Sequence, residues 1–328
     1  MTSSNLEIRN LIERHFRPFM AREVVKAARV FETHLEGGEK MLLAMAGAMS
    51  TGEIGIILAR MIREGKVHAI SCTGANLEED IFNLISNRDY EIIPSWRDLS
   101  TDDEQELRDR GMNRVTDTCI PENAMRQIEE RLLECWQRAA TVGDRRMPVE
   151  FFFEILDDPT LAEHYQIDPS HSWLLAAKET GIPVYVPGWE DSTIGNMFTA
   201  NVMMGHLPNH LSVKTGTEQF QALMEWYQSE HNSSASASIG FFQIGGGIAG
   251  DFAICAVPCI VQDLKHEVPC WSYLCQITDA QPSFGGYSGA PANEKITWGK
   301  IDSDTPRFEI NSDASIVAPL IFAWVLGD

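Results

Sequence analysis

Short, wholly apolar runs alternate with longer stretches in which apolar residues recur at helical spacing, and this alternation predicts the elements of the chain. Residues 40–47 read Lys-Met-Leu-Leu-Ala-Met-Ala-Gly, an apolar run ending in small residues, as expected of a parallel strand buried on both faces. Upstream, residues 5–36 carry Leu6, Ile12, Phe16 and Phe19 as anchors of a helix, with His15 and Pro18 interrupting the pattern. A helix is predicted over 51–64, with Ser50 or Thr51 as its cap and Gly65-Lys66 as its break. Residues 67–72 form the next strand and 78–86 the next helix. Strand, helix and strand in succession imply a parallel sheet with crossover helices.

Further along, the acidic run 100–110 reads as an exposed loop or helix face, and 122–138 as an amphipathic helix. Residues 182–186, 239–244 and 273–278 are strand candidates, each followed by a turn containing Gly or Pro. Residues 233–238 make a small polar connector, too short to separate domains, and 313–326 close the chain as a mostly apolar helix. No internal repeat and no domain boundary is visible. The expected fold is α/β, a single doubly wound, mostly parallel sheet flanked by helices and of Rossmann-like type. Residues 1–39 would form an N-terminal helical extension.

Composition changes this picture in three places. A formal charge of −21 over 328 residues opposes binding to phosphate backbones, which excludes nucleic acid as the expected partner and favours approach by polyamines. The first ten residues lack a basic run followed by an apolar core, and no apolar stretch is long and uninterrupted enough to span a bilayer. A protein that makes no membrane contact and sits in the cytoplasm is therefore expected. Seven scattered cysteines point to reduced thiols. Cys255, Cys259, Cys270 and Cys275, with His266 between the pairs, lack the two-residue spacing of zinc knuckles, so no metal is expected.

Two segments carry candidate chemistry. Gly245-Gly-Gly-Ile-Ala-Gly250 satisfies the G-x-G-x-x-G spacing directly after a predicted strand, where glycines permit a tight turn and let backbone N–H groups approach a pyrophosphate. No strand ending in an acid follows about twenty residues later, so the usual ribose-binding acid is not assigned. In residues 288–301, Lys300 stands one glycine from Trp298 and six residues after Glu294. An aromatic face attracts ammonium, a carboxylate pairs with it, and a desolvated lysine can lose its proton and attack a carbon. That combination suits imine chemistry on a cationic amine. A surface turn with a solvated lysine has the same spacing.

Residues 285–301 resemble the catalytic segment of the deoxyhypusine synthase family, whose signature runs roughly Gly-Ser-Asp-Ser-Gly-Ala-x-Pro-Asp-Glu-Ala-x-Ser-Trp-Gly-Lys-Ile. Family-like stretches occur in the same order at 73–80, 111–114, 182–187, 245–247 and 313–315. The resemblance implies NAD as cofactor, held by small polar residues at strand ends. The matching positions are Ser50, Thr51, Thr73, Gly74, Ala75, Glu79, Asp191, Gly246, Asp279, Ala280, Asp313 and Ala314. It also implies that spermidine is oxidised to an imine, that its aminobutyl unit passes to Lys300, and that an acceptor amine then takes it. Glu294 and Trp298 match residues that hold the polyamine, with Glu78 as a further carboxylate, and a homotetramer is implied.

Several positions depart from the family pattern. Asn196 and Tyr287 stand where the family carries aspartates, Asp251 stands in the place of a histidine, and Cys255 replaces an asparagine. Asp279 replaces a threonine and Ala48 an asparagine near the expected cofactor. Asp251 could serve as a general base or as a relocated ammonium partner, or could simply complement a helix N-terminus. Tyr287 could line the pocket or merely fill space. The leading expectation is a transferase moving an aminobutyl group from a spermidine-type polyamine, with a small amine or a protein lysine as acceptor. The alternatives are NAD-dependent oxidation or hydrolysis of another amine or guanidino compound, and a non-catalytic protein that binds NAD or polyamine.

Overall fold

The computed structural model describes residues 7–233, 238–282 and 284–328. Positions 5 and 6 of the expected first helix and 234–237 of the expected connector lie outside them. Six parallel strands form the main sheet: β1 (Lys40–Met45), β2 (Ala69–Cys72), β3 (Val184–Tyr185), β4 (Ile239–Ile244), β5 (Leu274–Thr278) and β6 (Arg307–Asn311). Their spatial order is 3-2-1-4-5-6. Chain direction away from the centre reverses between β1 and β4, and in open α/β sheets ligands bind in the crevice outside the carboxyl ends at that point.

Side-chain alternation explains why the sheet is covered twice. Leu43 and Met45 of β1, with Phe242 and Ile244 of β4, enter a core shared with helices Phe19–Glu36, Gly55–Arg63 and Ala314–Leu326. Leu42, Ala44 and Phe241 point the other way, into a core with helices Gly216–Ser233 and Gly247–Ile254. Neither face meets water, which is why β1 and β4 are almost wholly apolar, with Lys40 at one end of β1 and the buried Gln243 in β4 as exceptions.

Several boundaries shift for local reasons. The first helical stretch splits into Glu7–His15 and Phe19–Glu36, because Pro18 lacks the N–H that a continuous helix needs. The helix expected from residue 51 begins at Gly55, and neither Ser50 nor Thr51 caps it. Both sit in the preceding turn, where the Ser50 hydroxyl has other partners and Thr51 gives its N–H to Glu79. The acidic run is helix Thr101–Asp109, held by a reciprocal capping box between Ser100 and Asp103. Edge strand β6 and a small antiparallel sheet of Glu91–Ile92, Thr118–Pro121 and Met112–Val115 add to the strands expected from the sequence.

Candidate active site

Lys300 is brought into the protein by the turn that precedes it. Helix Glu294–Thr297 ends at Trp298, and Gly299 then takes a left-handed φ of 68°. That reversal lets Lys300 N–H donate to the Lys295 carbonyl at 3.1 Å and returns the lysine toward the indole it has just passed. Its Nζ lies 5.9 Å from the Trp298 ring centre and 5.3 Å from that of Tyr287. Only 8% of the side chain is exposed. The surface-turn alternative is therefore set aside.

The partner of this amine comes from helix Gly247–Ile254. Asp251 Oδ1 accepts from Lys300 Nζ at 2.8 Å. Asp251 is thus more than a complement to a helix N-terminus: a carboxylate stands within proton-transfer distance of the candidate nucleophile. Cys255, one helical turn on, donates its thiol hydrogen to the same carboxylate at 3.6 Å. Burial pushes the Cys255 thiol above its ordinary value, so it is not poised as a thiolate.

Tyr287 fills the space of the family aspartate with a ring. Its hydroxyl donates to Gln243 Oε1 at 2.8 Å, and burial holds its pKa well above the ordinary range. The ring is also within 5.1 Å of a second ammonium, Lys295 Nζ. Lys295 was not anticipated. It is 3% exposed and donates to Gln276 Oε1 at 2.9 Å and to the Ala290 carbonyl at 3.4 Å. Burial first, then the neighbouring Lys300 charge, lower its pKa to about 8. One signal could have found it: the family signature carries alanine directly after the glutamate matched by Glu294.

These groups line a cavity of about 310 Å³, bounded by Asp251, Tyr287, Glu294, Lys295, Trp298 and Lys300. A wider cleft of about 720 Å³ adjoins it across Asp251, Cys255 and Tyr287, and includes Gly188, Thr217, Phe220, Gly247 and Ile248. A trough of similar size between helices Glu122–Val142 and Pro148–Leu156 is lined by Arg131, Glu134, Arg138, Glu154 and Asp158. These five are already paired with one another.

Expected cofactor positions gather along one edge. Ser50 and Thr51 follow β1; Thr73, Gly74 and Ala75 follow β2; Asp191 follows β3. Gly246 follows β4, Asp279 and Ala280 follow β5, and Asp313 and Ala314 follow β6. Within that set the side chains differ. Ser50 Oγ donates to the Asn76 carbonyl at 2.7 Å and accepts Trp173 Nε1–H at 2.9 Å, so it braces the turn rather than facing a ligand. Asp313 caps helix Ala314–Leu326 through the N–H of Ser315. Glu79 accepts the Thr51 N–H at 3.2 Å, and burial pushes its pKa up to about 7.

Thr51 Oγ1 is buried without a hydrogen-bond partner among the described residues. Gly247, at a left-handed φ of 55°, has open space where a Cβ would stand. An unpartnered hydroxyl and an open glycine turn beside the strand-order reversal fit a dinucleotide.

Two expected amine-site residues lie elsewhere. Glu78 accepts the N–H groups of Thr193 and Ile194 at 3.0 and 2.7 Å, at the start of helix Thr193–Met203, whose N-cap is Ser192. Its carboxylate is engaged there and lines neither cavity; burial raises its pKa to about 7. Asn196 is exposed and donates to the Glu190 carbonyl at 2.6 Å, again outside both cavities. Among the described residues no group of three or more His, Cys, Asp or Glu is placed to hold a metal, and no helix is long and apolar enough to cross a membrane.

Sheet order, glycine turn and the pairing of the buried Lys300 with the half-exposed Asp251 together define an α/β protein of Rossmann-like type with a lysine-bearing cavity beside its glycine turn. The deoxyhypusine synthase family model matches residues 12–325, and the chain belongs to that family. A "Deoxyhypusine synthase-like protein" from Cyanothece sp. is 28% identical over 331 residues, covering 98% of this chain and 80% of the relative. "Probable deoxyhypusine synthase 1" from Methanosarcina acetivorans is 26% identical over 281 residues, covering 86% and 78%. In fold, the chain matches the crystal structure of an Entamoeba histolytica protein assigned as a deoxyhypusine synthase. The TM-score is 0.56 at 14% identity, over 96% of this chain and 91% of that one.

Proposed function

We propose that the protein is an NAD-dependent aminobutyl transferase that uses a spermidine-type polyamine and forms an imine on Lys300. Membership of the family implies aminobutyl transfer from spermidine. The observation that carries the reading here is the buried Lys300 amine, 2.8 Å from Asp251, in a cavity adjoining the glycine turn. Asp251 is the group that takes the Lys300 proton, freeing the lone pair to attack the donor's imine carbon as the C–N bond to the rest of the donor breaks and that part leaves as a diamine; Asp251 returns the proton when the acceptor amine displaces the lysine. Trp298 and Tyr287 present ring faces to the ammonium groups, and Glu294 pairs with one of them.

NAD would lie across the carboxyl edge. Thr51, Thr73, Gly74, Ala75, Glu79, Asp191, Gly246, Asp279, Ala280, Asp313 and Ala314 are the residues that would hold it. Bound there, it supplies the hydride acceptor for amine oxidation and the donor for the closing reduction. Ser50 supports the Thr51 turn from behind. A small-molecule acceptor is favoured over a protein lysine, because a cavity of only about 310 Å³ suits a short chain. As in the family, a homotetramer is expected, and sedimentation would read it.

The test is incubation of the protein with NAD, spermidine and putrescine, followed by mass spectrometry for homospermidine, repeated with Lys300→Arg. Arginine keeps the charge but cannot lose the proton. Product from the wild type and none from the variant supports the reading. Absence of product with putrescine and with any protein acceptor removes it.

A further inference from the structure

Among the described residues the chain buries one ammonium that the transfer chemistry leaves without a task. Lys295 lines the cavity, and two of the three N–H bonds of its Nζ are directed to neutral acceptors, Gln276 and the Ala290 carbonyl. Tyr287 offers it only a ring face. No carboxylate among the described residues is in ion-pair contact with it, although Glu309, Glu294 and Asp251 act on it at longer range. Glu309 is itself bonded to the Ala292 N–H. A buried cation with no opposite charge against it is costly to keep, and among the described residues no ion pair offsets that cost.

The charges around the cavity sharpen the point. Although the chain carries −21 overall, the lining holds two lysines and two acids and sums to zero. Asp251 is occupied by Lys300, which leaves Glu294 as the one lining carboxylate free to receive a substrate ammonium. Asn196, at a family aspartate position, lies outside the cavity, and Tyr287, at the other, is uncharged. A molecule with an ammonium at each end therefore meets one open carboxylate and one uncompensated cation. A molecule with an ammonium and a carboxylate meets a partner for each.

We propose that Lys295 forms an anion subsite in the amine cavity, and that one of the two amines handled here carries a carboxylate, as an amino acid with an amine-bearing side chain does. The proposal rests on the amine-site reading above but not on transfer taking place. The Lys295 ammonium pairs with the carboxylate, Gln276 fixes the ammonium from behind, and Glu294 takes the substrate ammonium at the mouth.

Calorimetric binding tests it without turnover, with NADH present so that no amine is oxidised. Two matched pairs serve as probes: ornithine against 1,4-diaminobutane, and lysine against 1,5-diaminopentane. In each pair the members differ by one carboxylate. The carboxylated member is expected to bind at least tenfold more tightly. Lys295→Met should remove that preference, and Lys295→Arg should restore part of it. Equal or tighter binding of the diamines by the wild type overturns the proposal. So does an unchanged preference in a Lys295→Met protein whose melting curve shows it folded. If that variant fails to fold, the wild-type pairs together with Lys295→Arg still decide. Lys300→Arg keeps the subsite intact, so loss of transfer and loss of carboxylate preference are read separately.

Discussion

At the carboxyl ends of β1 and β2, polar side chains are bonded to one another, whereas at the ends of β4 and β5 they are left facing a cavity. Asn76, fully buried, donates to the Gly47 carbonyl at 2.9 Å and to Thr73 Oγ1 at 2.8 Å, and its own carbonyl receives Ser50 Oγ. Asn83 and Trp173 close the same network through Ser50. Across the crevice, Lys300, Lys295, Asp251 and Glu294 all border open volume. The first region spends its polar groups on holding a shape. The second holds charge in reserve for something that arrives. Substitutions should therefore cost stability on one side and chemistry on the other.

The largest effect is expected at Lys300. Lys300→Arg should lower product formation by ~10³-fold or more and abolish borohydride trapping of a substrate adduct, while NAD binding survives. An adduct that persists would place the nucleophile elsewhere. Next comes the braced side. Asn76→Ala strips a buried network of several bonds and should cost about 2–4 kcal/mol, read as a drop in denaturant midpoint. A change under about 0.5 kcal/mol would erase the contrast.

The buried acids behind the first region give a pH signature of known sign. Burial raises Glu78 and Glu79 to about 7 and Asp80 to about 6, all above their unfolded values. The folded state therefore keeps protons that the unfolded chain has released. Stability is highest near and below the unfolded carboxylate pKa, falls as pH rises from about 4.5 to about 7, and levels above that. Glu79→Gln should flatten this slope by about 2–3 kcal/mol at most, measured by denaturation at pH 5 and pH 7.5. The smallest stability effect belongs to Trp298, which is 61% exposed. Trp298→Ala should move stability by less than about 0.5 kcal/mol while raising KM for the amine. A large loss of stability would show the ring to be structural.

The sequence disclosed the parts of the fold in which chemistry along the chain and packing across it agree. Buried strands β1 and β4 announce themselves because both faces are covered, and helix Glu122–Val142 because its buried positions recur at helical spacing. Strand β6 was invisible for the opposite reason. Its Arg-Phe-Glu-Ile-Asn alternation belongs to an edge, with Phe308 and Ile310 inward and charged groups outward, and five residues give too little pattern. Helix Thr193–Met203 begins where Glu78, more than a hundred residues earlier, receives its first N–H groups. Ser192, whose hydroxyl accepts the Gly195 N–H, is the local half of that start, and the Glu78 half has no local signal.

The site divides along the same line. Glu294, Trp298 and Lys300 were legible because they lie within seven consecutive residues and match a family signature. The Asp251–Lys300 contact spans 49 positions and exists only because β4 and β5 are neighbours in the sheet. Lys295 escaped notice because a lysine beside a glutamate on a short helix reads as a solvated surface pair. Burial decides otherwise, and burial is a property of the fold. Glu78 misled in the reverse direction: an acid in a family-like segment looked available, and the fold had already engaged it.

Ser288 joins the two halves of the crevice. Its hydroxyl receives the Gly247 N–H at 3.1 Å, and its carbonyl receives Gln276, the side chain that steadies Lys295. Gly246 packs so closely on it that a Cβ there would come within 2.3 Å of the Ser288 oxygen. The loop bearing Tyr287 is therefore keyed into the glycine turn and cannot drift to suit a new substrate. Diversification on such a frame has to proceed by exchanging the side chains that look into a fixed chamber, and the tyrosine at 287 and the lysine at 295 are exchanges of that kind.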